Sequence, residues 1–245
     1  METDRHDELG QAINNFNDMT RELSEAHQNL KAMASLQREI GIAALRQQIN
    51  PHFLYNTLDM IIGMTTQGDQ AAIVEVCKAL GGIFRYNLNG DSMVSLEKEL
   101  TQTRRYIQIS QYRFHGRFDV EYSVERDLLD QTVPKLILQP IVENSVLHGF
   151  SAISRRASML IAINRAGAGR YCITVKDTGA GMSAAALQTL RDSLSDTDGL
   201  VEGRRHIGIR NVYARLHLVY GSEMSMDIES QLSVGTQITI MLPIR

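Results

Sequence analysis

The sequence predicts an α+β protein in which a helical N-terminal part precedes an α/β sandwich, and three observations support this. From Leu9 to about Phe114, apolar residues recur every three to four positions, which is the period of helices. After Val133 the composition changes, and short apolar segments separated by glycine turns indicate strands between helices. A chain of 245 residues, 43% of them hydrophobic, is long enough for two compact units and a helical extension.

Composition and charge exclude several classes of function. The net charge of -3 provides no basic field for a nucleic-acid partner. No apolar run approaches the roughly 18 residues of a membrane span, and the N-terminus lacks the pattern of a signal peptide. The two cysteines, Cys77 and Cys172, lie far apart in apolar surroundings, so we expect buried, reduced thiols rather than a disulfide or a zinc site.

Residues 1–33 have the pattern of a coiled-coil helix that needs a partner. The seam positions alternate spacings of four and three: Leu9, Ile13, Phe16, Thr20, Leu23, His27 and Leu30. A plain amphipathic helix accounts for the same pattern nearly as well. Beyond Leu30 one spacing of three replaces a four, and such a slip changes coiled-coil winding locally. We hypothesise that the slip passes a rotation of this helix to the segment that follows.

The next helix, up to about Thr66, carries an unusual polar stripe. Gln48, His52, Asn56 and Asp59 share one face, so His52 is expected to point away from the core. Pro51 cannot donate a hydrogen bond to the carbonyl group of Gln47 and crowds it, which should bend the helix at a cost of roughly 3 kcal/mol. A helix defect beside an exposed histidine suggests functional use.

Two further helices complete residues 34–116. The segment from Ala71 to Tyr86 has an apolar stripe that can lie antiparallel to the preceding helix. Two such helices cannot enclose a core alone, so a four-helix bundle formed by two copies predicts a homodimer. Ser95 begins a third helix as its N-cap, and Gly116 ends it.

Residues 117–245 read as the α/β sandwich. We expect helices over 134–148 and 209–219, a short helix capped by Ser183, and a mobile polar loop over 193–205. Strands are predicted over 118–124, 158–164, 171–176, 224–229 and 237–242.

The run around His52 resembles the phosphoacceptor box of sensor histidine kinases of the LytS/YesM type, Q-x-N-P-H-F-L-x-N-x-L. The resemblance implies that His52 accepts the γ-phosphoryl group of ATP, with Asn56 in the same catalytic box. A neutral imidazole nitrogen is a nucleophile near pH 7, which suits this role. Phe53 stands where many kinases of other branches have an acidic base, and Asp59 is about 10 Å further along the helix, so the proton acceptor stays open.

Four further segments resemble, in order, the boxes of the GHKL ATP-binding fold, also called the Bergerat fold. An upstream run over 139–149 resembles the N box, and the Asp177-Thr178-Gly179-Ala180-Gly181 turn resembles the first glycine box. Segments 206–216 and 235–238 resemble the second glycine box and the last box. Glycines at such turns let the backbone approach a ligand closely.

The resemblance implies specific roles in binding ATP and Mg²⁺. Asn144 is expected to hold the Mg²⁺ that bridges the phosphates, because its amide oxygen is a suitable ligand for a hard cation. Asp177 is expected to read the adenine amine, while Gly208 and the start of the following helix face phosphate. The other ATP-binding residues implied are His148, Gly179, Gly181, Asn211 and Thr236.

The sequence departs from the family pattern at two positions, and two alternative functions stay open. Pro140 stands where many relatives have the first asparagine of the N box, and His206 replaces a common glycine. One alternative is a GHKL ATPase that uses Glu143 to activate water and forms no phosphohistidine. The other is a non-catalytic dimeric scaffold that binds ATP for stability.

Together these patterns predict three domains and a place in two-component signal transduction. Residues 1–33 resemble the end of a HAMP linker, 34–116 form the dimerisation and phosphotransfer helices, and 117–245 form the catalytic domain. The predicted partners are a second copy of the chain and the receiver domain of a response regulator. The HAMP resemblance also implies that the chain is the cytoplasmic portion of a bacterial membrane sensor, anchored through N-terminal spans absent from this sequence.

Overall fold

The structure is a computed structural model that describes residues 51–167, 169–195 and 207–245. The predictions of the coiled coil, its phase slip, the bend before Pro51 and most of the polar loop, over 196–205, lie outside the described residues. Contacts divide the chain into the units Met1–Leu54 and Tyr55–Arg245. Of the described residues, 51–54 belong to the first unit and all others to the second.

Three helices form the N-terminal part of the described chain: α1, Pro51–Gln67; α2, Gln70–Leu88; and α3, Leu96–Arg113. The side chain of Asp69 caps α2 by accepting a hydrogen bond from the N–H of Ala72 at 3.1 Å. Ser95 caps α3 as predicted, and Gly116 follows its end with a φ of +67°. None of the helices in the described ranges is long and apolar enough to cross a membrane.

Helix α2 makes extensive contacts with α3, and Val76, Leu80 and Ile83 of the apolar stripe predicted for α2 are buried. The fully or nearly fully buried residues of this interface region are Val76, Leu80, Ile83, Leu96, Leu100 and Ile107. The packing of α2 on α3 orients α3, which is the last helix before the sheet begins.

A five-stranded sheet forms the sandwich, and its strands are β2, Phe118–Val124; β4, Ala157–Gly167; β5, Arg170–Asp177; β6, Ser225–Gln231; and β7, Gly235–Pro243. Their order in the sheet is β2-β4-β5-β7-β6. The β2–β4 pair is parallel, and the other pairs are antiparallel. Alternate residues of β5 are buried, the pattern of a sheet with one covered face. All five predicted strands are confirmed.

The helices of this part are α4, Gln139–Asn144; α5, Ala184–Ser195; and α6, Ile207–Tyr220. Helix α4 continues directly into a π-helical turn, Ser145–Phe150. The mixed sheet and its helices confirm the predicted α+β class and α/β sandwich.

The prediction of a helix from Pro134 was wrong at its start. Pro134 ends a short strand, β3, Thr132–Pro134, which pairs antiparallel with β1, Met93–Ser95, and neither strand was predicted. Helix α4 begins only at Gln139, because Leu136 has a left-handed φ of +61° and its N–H donates to the carboxylate of Glu99 at 2.6 Å. A distant side chain therefore determines where this helix starts.

The expectation of buried cysteines was also wrong. Cys77 is exposed on α2, and Cys172 is half-buried in β5, where its thiol lies 3.3 Å from the hydroxyl of Thr174. Both are free thiols, as predicted. Cys77 is exposed although the adjacent Val76 is buried, a difference that local composition does not reveal.

Candidate functional site

A buried carboxylate lies at the end of β5. Asp177 is 5% exposed, and its Oδ2 accepts a hydrogen bond from the Ser145 hydroxyl at 2.7 Å. Its Oδ1 accepts from the N–H groups of Gly179 at 2.8 Å and Thr236 at 3.3 Å. Burial raises the pKa of Asp177, and these three donors oppose the shift. Hydrogen bonds from three separate segments of the chain therefore fix the position of the Asp177 carboxylate.

Asp177 forms part of the lining of a cleft between the sheet and the helices. Five predicted site residues line this cleft: Asn144, His148, Asp177, Gly181 and Thr236. Apolar side chains supply much of the remaining lining: Ile141, Val175, Met182, Ile209 and Ile238. Apolar walls with a few fixed polar groups are typical of a site for a flat heteroaromatic ligand.

At Gly179 and Gly181, the turn after Asp177 lies too close to neighbouring backbone atoms for any residue but glycine. A Cβ atom on Gly179 would lie 2.5 Å from the Cα of Gly149, and the N–H of Ala180 donates to the Gly149 carbonyl at 2.9 Å. Gly181 has a φ of +63°, and a Cβ there would lie 1.9 Å from the carbonyl oxygen of Gln231. The turn therefore packs directly on the π-helical turn that follows Asn144.

Asn144 lies near the start of α6. Its Nδ2 is buried and has no hydrogen-bond partner in the described part of the chain. A Cβ on Gly208 would lie 4.0 Å from that Nδ2, so the opening of α6 and the amide are neighbours. An unsatisfied buried donor beside a helix N-terminus fits a phosphate-bearing ligand.

The chemistry of the donor set also limits which metal this cleft can hold. In the described ranges no group of three or more His, Cys, Asp or Glu side chains is placed to bind a metal ion. An amide oxygen together with ligand phosphates suits Mg²⁺, which is often held by few protein ligands. The residues present therefore fit a cation that arrives with its nucleotide.

The remaining predicted residues differ in their relation to the cleft. His148 lines it with an exposed side chain. Gly179 packs on Gly149, which lines the cleft, and Gly208 lies beside Asn144. Asn211 is exposed on α6 and is not among the cleft-lining residues of the described chain. The structure thus brings together all the predicted nucleotide-site residues except Asn211.

Sequence reasoning gave no role to three residues that shape the site. Ser145 and Gly149 lie within the N-box run, and their contacts with Asp177 and Gly179 depend on the π-helical turn. Gly235 has a φ of +142°, and a Cβ there would lie 1.9 Å from the Asp177 carbonyl oxygen. The sequence signal that could have identified Gly235 is its position directly before Thr236 in the last box.

His52 and Asn56 occupy the polar stripe of α1, one turn apart. His52 is exposed and Asn56 is half-buried, whereas the neighbouring Thr57 is buried. The predicted outward orientation of His52 is confirmed. An exposed imidazole is accessible to a reactant from outside the helix.

Comparison with known proteins finds one family model for each part of the chain. Residues 40–118 match the family model described as histidine kinase, and residues 129–245 match that of the histidine kinase-, DNA gyrase B- and HSP90-like ATPases. The second match identifies an ATP-binding domain.

Two curated relatives and one solved structure illustrate the similarity. Sensor histidine kinase YesM of Bacillus subtilis is 30% identical over 240 residues, which are 98% of this chain. Sensor protein kinase HptS of Staphylococcus aureus is 29% identical over 208 residues, 84% of this chain. The histidine kinase domain of the Erythrobacter litoralis EL346 blue-light activated histidine kinase is 15% identical, with a TM-score of 0.41, covering 82% of this chain and 92% of that one.

The chain spans 39% of the length of each of these curated relatives. The two family models follow one another in the order expected for phosphoacceptor helices and an ATP-binding sandwich, and the similarity to YesM extends over almost the whole chain. The chain belongs to the sensor histidine kinases of the LytS/YesM type.

Proposed function

We propose that this chain is the kinase core of a two-component sensor, which phosphorylates His52 from Mg²⁺-ATP and passes the phosphoryl group to a response-regulator aspartate. The observation that carries the proposal is the buried Asp177 carboxylate, fixed by three donors in the wall of an apolar cleft. A ligand with an aromatic ring and an exocyclic amine complements this arrangement.

In this proposal the two ends of the cleft recognise different parts of ATP. Asp177 accepts a hydrogen bond from the adenine amine, while Ile141 and Ile238 contact the ring. Gly179 and Gly181 form the turn under the base. Asn144, Gly208 and the N-terminus of α6 bind the triphosphate end, with His148 and Thr236 as further lining residues.

Asn144 is the residue proposed to hold Mg²⁺. When bound, the cation neutralises charge on the phosphates and orients them for transfer. The cation ligand in this role is the Oδ1 atom of Asn144, whereas the buried Nδ2, a donor with no partner within the described residues, is available to a phosphate oxygen. The rest of catalysis is positioning by the chain itself.

The transfer step requires a nucleophile with an available lone pair. The unprotonated ring nitrogen of His52 attacks the γ-phosphorus, and a nitrogen–phosphorus bond forms. The bond from that phosphorus to the β,γ-bridging oxygen breaks, and ADP leaves with the electron pair. The proton of the other ring nitrogen is released to a base or to solvent. A receiver-domain carboxylate then displaces the histidine in the second transfer.

We further propose that the protein works as a homodimer and is anchored in the membrane through spans that precede this sequence. Exposed apolar side chains on α1 support the dimer: Tyr55, Leu58 and Ile62. The HAMP-like opening and the 39% share of the relatives' length support a longer sensor protein. Its receiver-domain partner follows from the phosphohistidine chemistry.

The test is incubation with γ-labelled ATP and Mg²⁺. We expect label on the wild type that is lost in acid and stable in base, as phosphohistidine is, and we expect His52→Gln to reduce it to background. His217→Gln is a matched control, because it removes another exposed histidine, on α6, outside the cleft. This control should keep its label.

Two other results would contradict the proposal. Release of free phosphate without labelled protein would identify an ATPase, with Glu143 as the residue to test next. Nucleotide binding with neither label nor free phosphate would identify an ATP-binding scaffold.

A further inference from the structure

A second buried carboxylate lies outside the nucleotide cleft. Among the described residues Asp177 and Glu99 are the two buried carboxylates, and Glu99 is only 1% exposed. It belongs to the first turn of α3 and does not line the cleft. The phosphoryl-transfer steps described above make no use of it.

The Glu99 carboxylate binds three consecutive backbone N–H groups. Its Oε1 accepts from Leu136 at 2.6 Å, and its Oε2 accepts from Ile137 at 2.9 Å and from Leu138 at 3.1 Å. The hydroxyl of Tyr86, on α2, also donates to Oε1. One side chain thus joins α2 and α3 to a segment about 37 residues away in sequence.

These three N–H groups lie where α4 begins. Leu138 is the N-cap of α4, and the left-handed Leu136 precedes it by two residues. The N–H groups of the N-cap and of the residues just before a helix have no partner within the helix, so they need an acceptor from elsewhere. A carboxylate supplies that acceptor and complements the positive end of the helix. Glu99 therefore acts as a cap contributed by a different helix.

The carbonyl side of the same segment is held by α6. Nη1 of Arg215 donates to the carbonyl oxygens of Lys135 at 3.0 Å and Leu136 at 3.3 Å. A carboxylate and a guanidinium thus hold opposite sides of one short segment. Asn144 follows Leu138 by six residues, about 9 Å along a helix. The segment therefore fixes α4, which ends at Asn144, relative to α6, which carries Gly208 in its first turn.

We propose that Glu99 is a positioning residue that sets the start of α4, and through it Asn144, and so links helices α2 and α3 to the cation end of the nucleotide site. This inference rests on the proposed role of Asn144 in holding Mg²⁺. The adenine end depends less on α4, because two of the three donors to Asp177, the N–H groups of Gly179 and Thr236, lie on the turn and on β7, and only Ser145 follows α4. Loss of Glu99 should therefore weaken the Mg²⁺-dependent part of nucleotide affinity selectively.

The experiment measures the dissociation constant of ADP with and without Mg²⁺ for the wild type, Glu99→Gln and Glu97→Gln. Glutamine keeps the size of the side chain but replaces one acceptor with a donor, which cannot bind an N–H group. Glu97 is the matched control, because it is an exposed acid in the same turn of α3.

We expect Mg²⁺ to tighten ADP binding by the wild type, and we expect Glu99→Gln to lose about 10- to 100-fold of that gain, as when a residue supporting a metal ligand is changed. Its Mg²⁺-free affinity should change less than about twofold, and Glu97→Gln should resemble the wild type in both conditions. If Glu99 only stabilised the fold, Glu99→Gln would weaken ADP binding equally with and without Mg²⁺.

Tyr86→Phe gives a second, milder variant if Glu99→Gln does not fold. It removes one hydroxyl donor and leaves the three N–H bonds, so we expect a smaller loss in the same Mg²⁺-dependent gain. Hydrogen exchange at Leu136, Ile137 and Leu138 provides an independent readout, and it should be faster in Glu99→Gln than in Glu97→Gln.

Several outcomes would overturn the inference. One is that Mg²⁺ tightens ADP binding by Glu99→Gln as much as by the wild type. Another is that Glu99→Gln loses ADP affinity equally with and without Mg²⁺. If Glu99→Gln does not fold, an unchanged effect of Mg²⁺ on ADP binding by Tyr86→Phe would also overturn the inference. A wild type that binds ADP equally with and without Mg²⁺ would instead contradict the proposed role of Asn144, on which the inference rests. The wild-type control thus separates the two failures.

Discussion

Asp177 combines a cost in stability with a role in binding. Burial raises its pKa, so the ionised carboxylate is less favourable in the folded protein than in the unfolded chain. A charged acceptor in the cleft wall is nevertheless what a nucleobase amine requires. The same residue is therefore expected to oppose folding at neutral pH and to favour nucleotide binding.

Asp177→Asn should separate these effects. Asparagine can still accept from Gly179 and Thr236 through Oδ1 and can donate to the Ser145 hydroxyl through Nδ2, so all three contacts can persist. We expect ATP affinity to fall by about 10- to 100-fold, the value of a hydrogen bond to a charged group. The free energy of unfolding at pH 7 should not fall, and titration with ATP and urea denaturation measure the two quantities.

The pH dependence has a definite sign. Because the folded-state pKa of Asp177 is raised, its stabilising contribution is complete below the unfolded-state pKa and is lost as pH rises through the folded-state pKa. The advantage of Asp177→Asn over the wild type should therefore be largest at neutral pH and shrink as pH falls. A variant less stable than the wild type at every pH would contradict this explanation.

The sequence predicted which residues form the site but not the contacts between them. The boxes predicted that Asn144, Asp177 and Thr236 belong to one site, because each box has a recognisable local spacing. The Ser145–Asp177 bond spans 32 residues and depends on the π-helical turn, which no local pattern encodes. Conversely, Asn211 belongs to the second glycine box but is not among the residues that line the cleft in the described chain.

At the scale of elements, the glycine turn after β5 provides the clearest test of backbone conformation. Gly181→Ala introduces a Cβ that would lie 1.9 Å from a backbone oxygen, at a φ of +63°. We expect a loss of roughly 1–3 kcal/mol in the free energy of unfolding, together with weaker nucleotide binding. Denaturant unfolding and nucleotide titration measure both effects.

Gly63→Ala is the matched control in α1. A Cβ on Gly63 would have no atom within 4 Å, and this glycine is inside a helix. Alanine there should stabilise the protein by about 0.5–1 kcal/mol without changing nucleotide affinity. Equal effects of the two substitutions would show that backbone conformation at Gly181 is unimportant.

Elements with a regular period were predictable, whereas those fixed by distant partners were not. The alternation in β5 and the cap at Ser95 are local signals, and the structure confirms both. The start of α4 depends on Glu99, up to 39 residues away in sequence. The short pair of β1 and β3 likewise joins segments too brief to show a period. The sequence therefore indicates most elements but not the contacts that end them.

At the scale of the whole molecule, α1 presents an apolar stripe to solvent. Tyr55, Leu58 and Ile62 are 67%, 43% and 63% exposed, and their spacings of three and four residues put them on one face. Exposed apolar side chains aligned in this way are typical of a helix that packs against a partner. The proposed homodimer would bury this stripe.

Leu58→Glu combined with Ile62→Glu tests this dimer directly. If both side chains are buried between two copies, their removal costs roughly 3–6 kcal/mol in association, at about 1.5–3 kcal/mol each. The dimer dissociation constant should then rise by at least about a hundredfold, which sedimentation equilibrium can measure. Leu218→Glu is the matched control, because Leu218 is 87% exposed on α6 and should leave the assembly unchanged. Nucleotide affinity should also stay the same, since neither Leu58 nor Ile62 lines the cleft. If the double variant kept the wild-type dissociation constant, the stripe on α1 would not be the surface that joins the two copies.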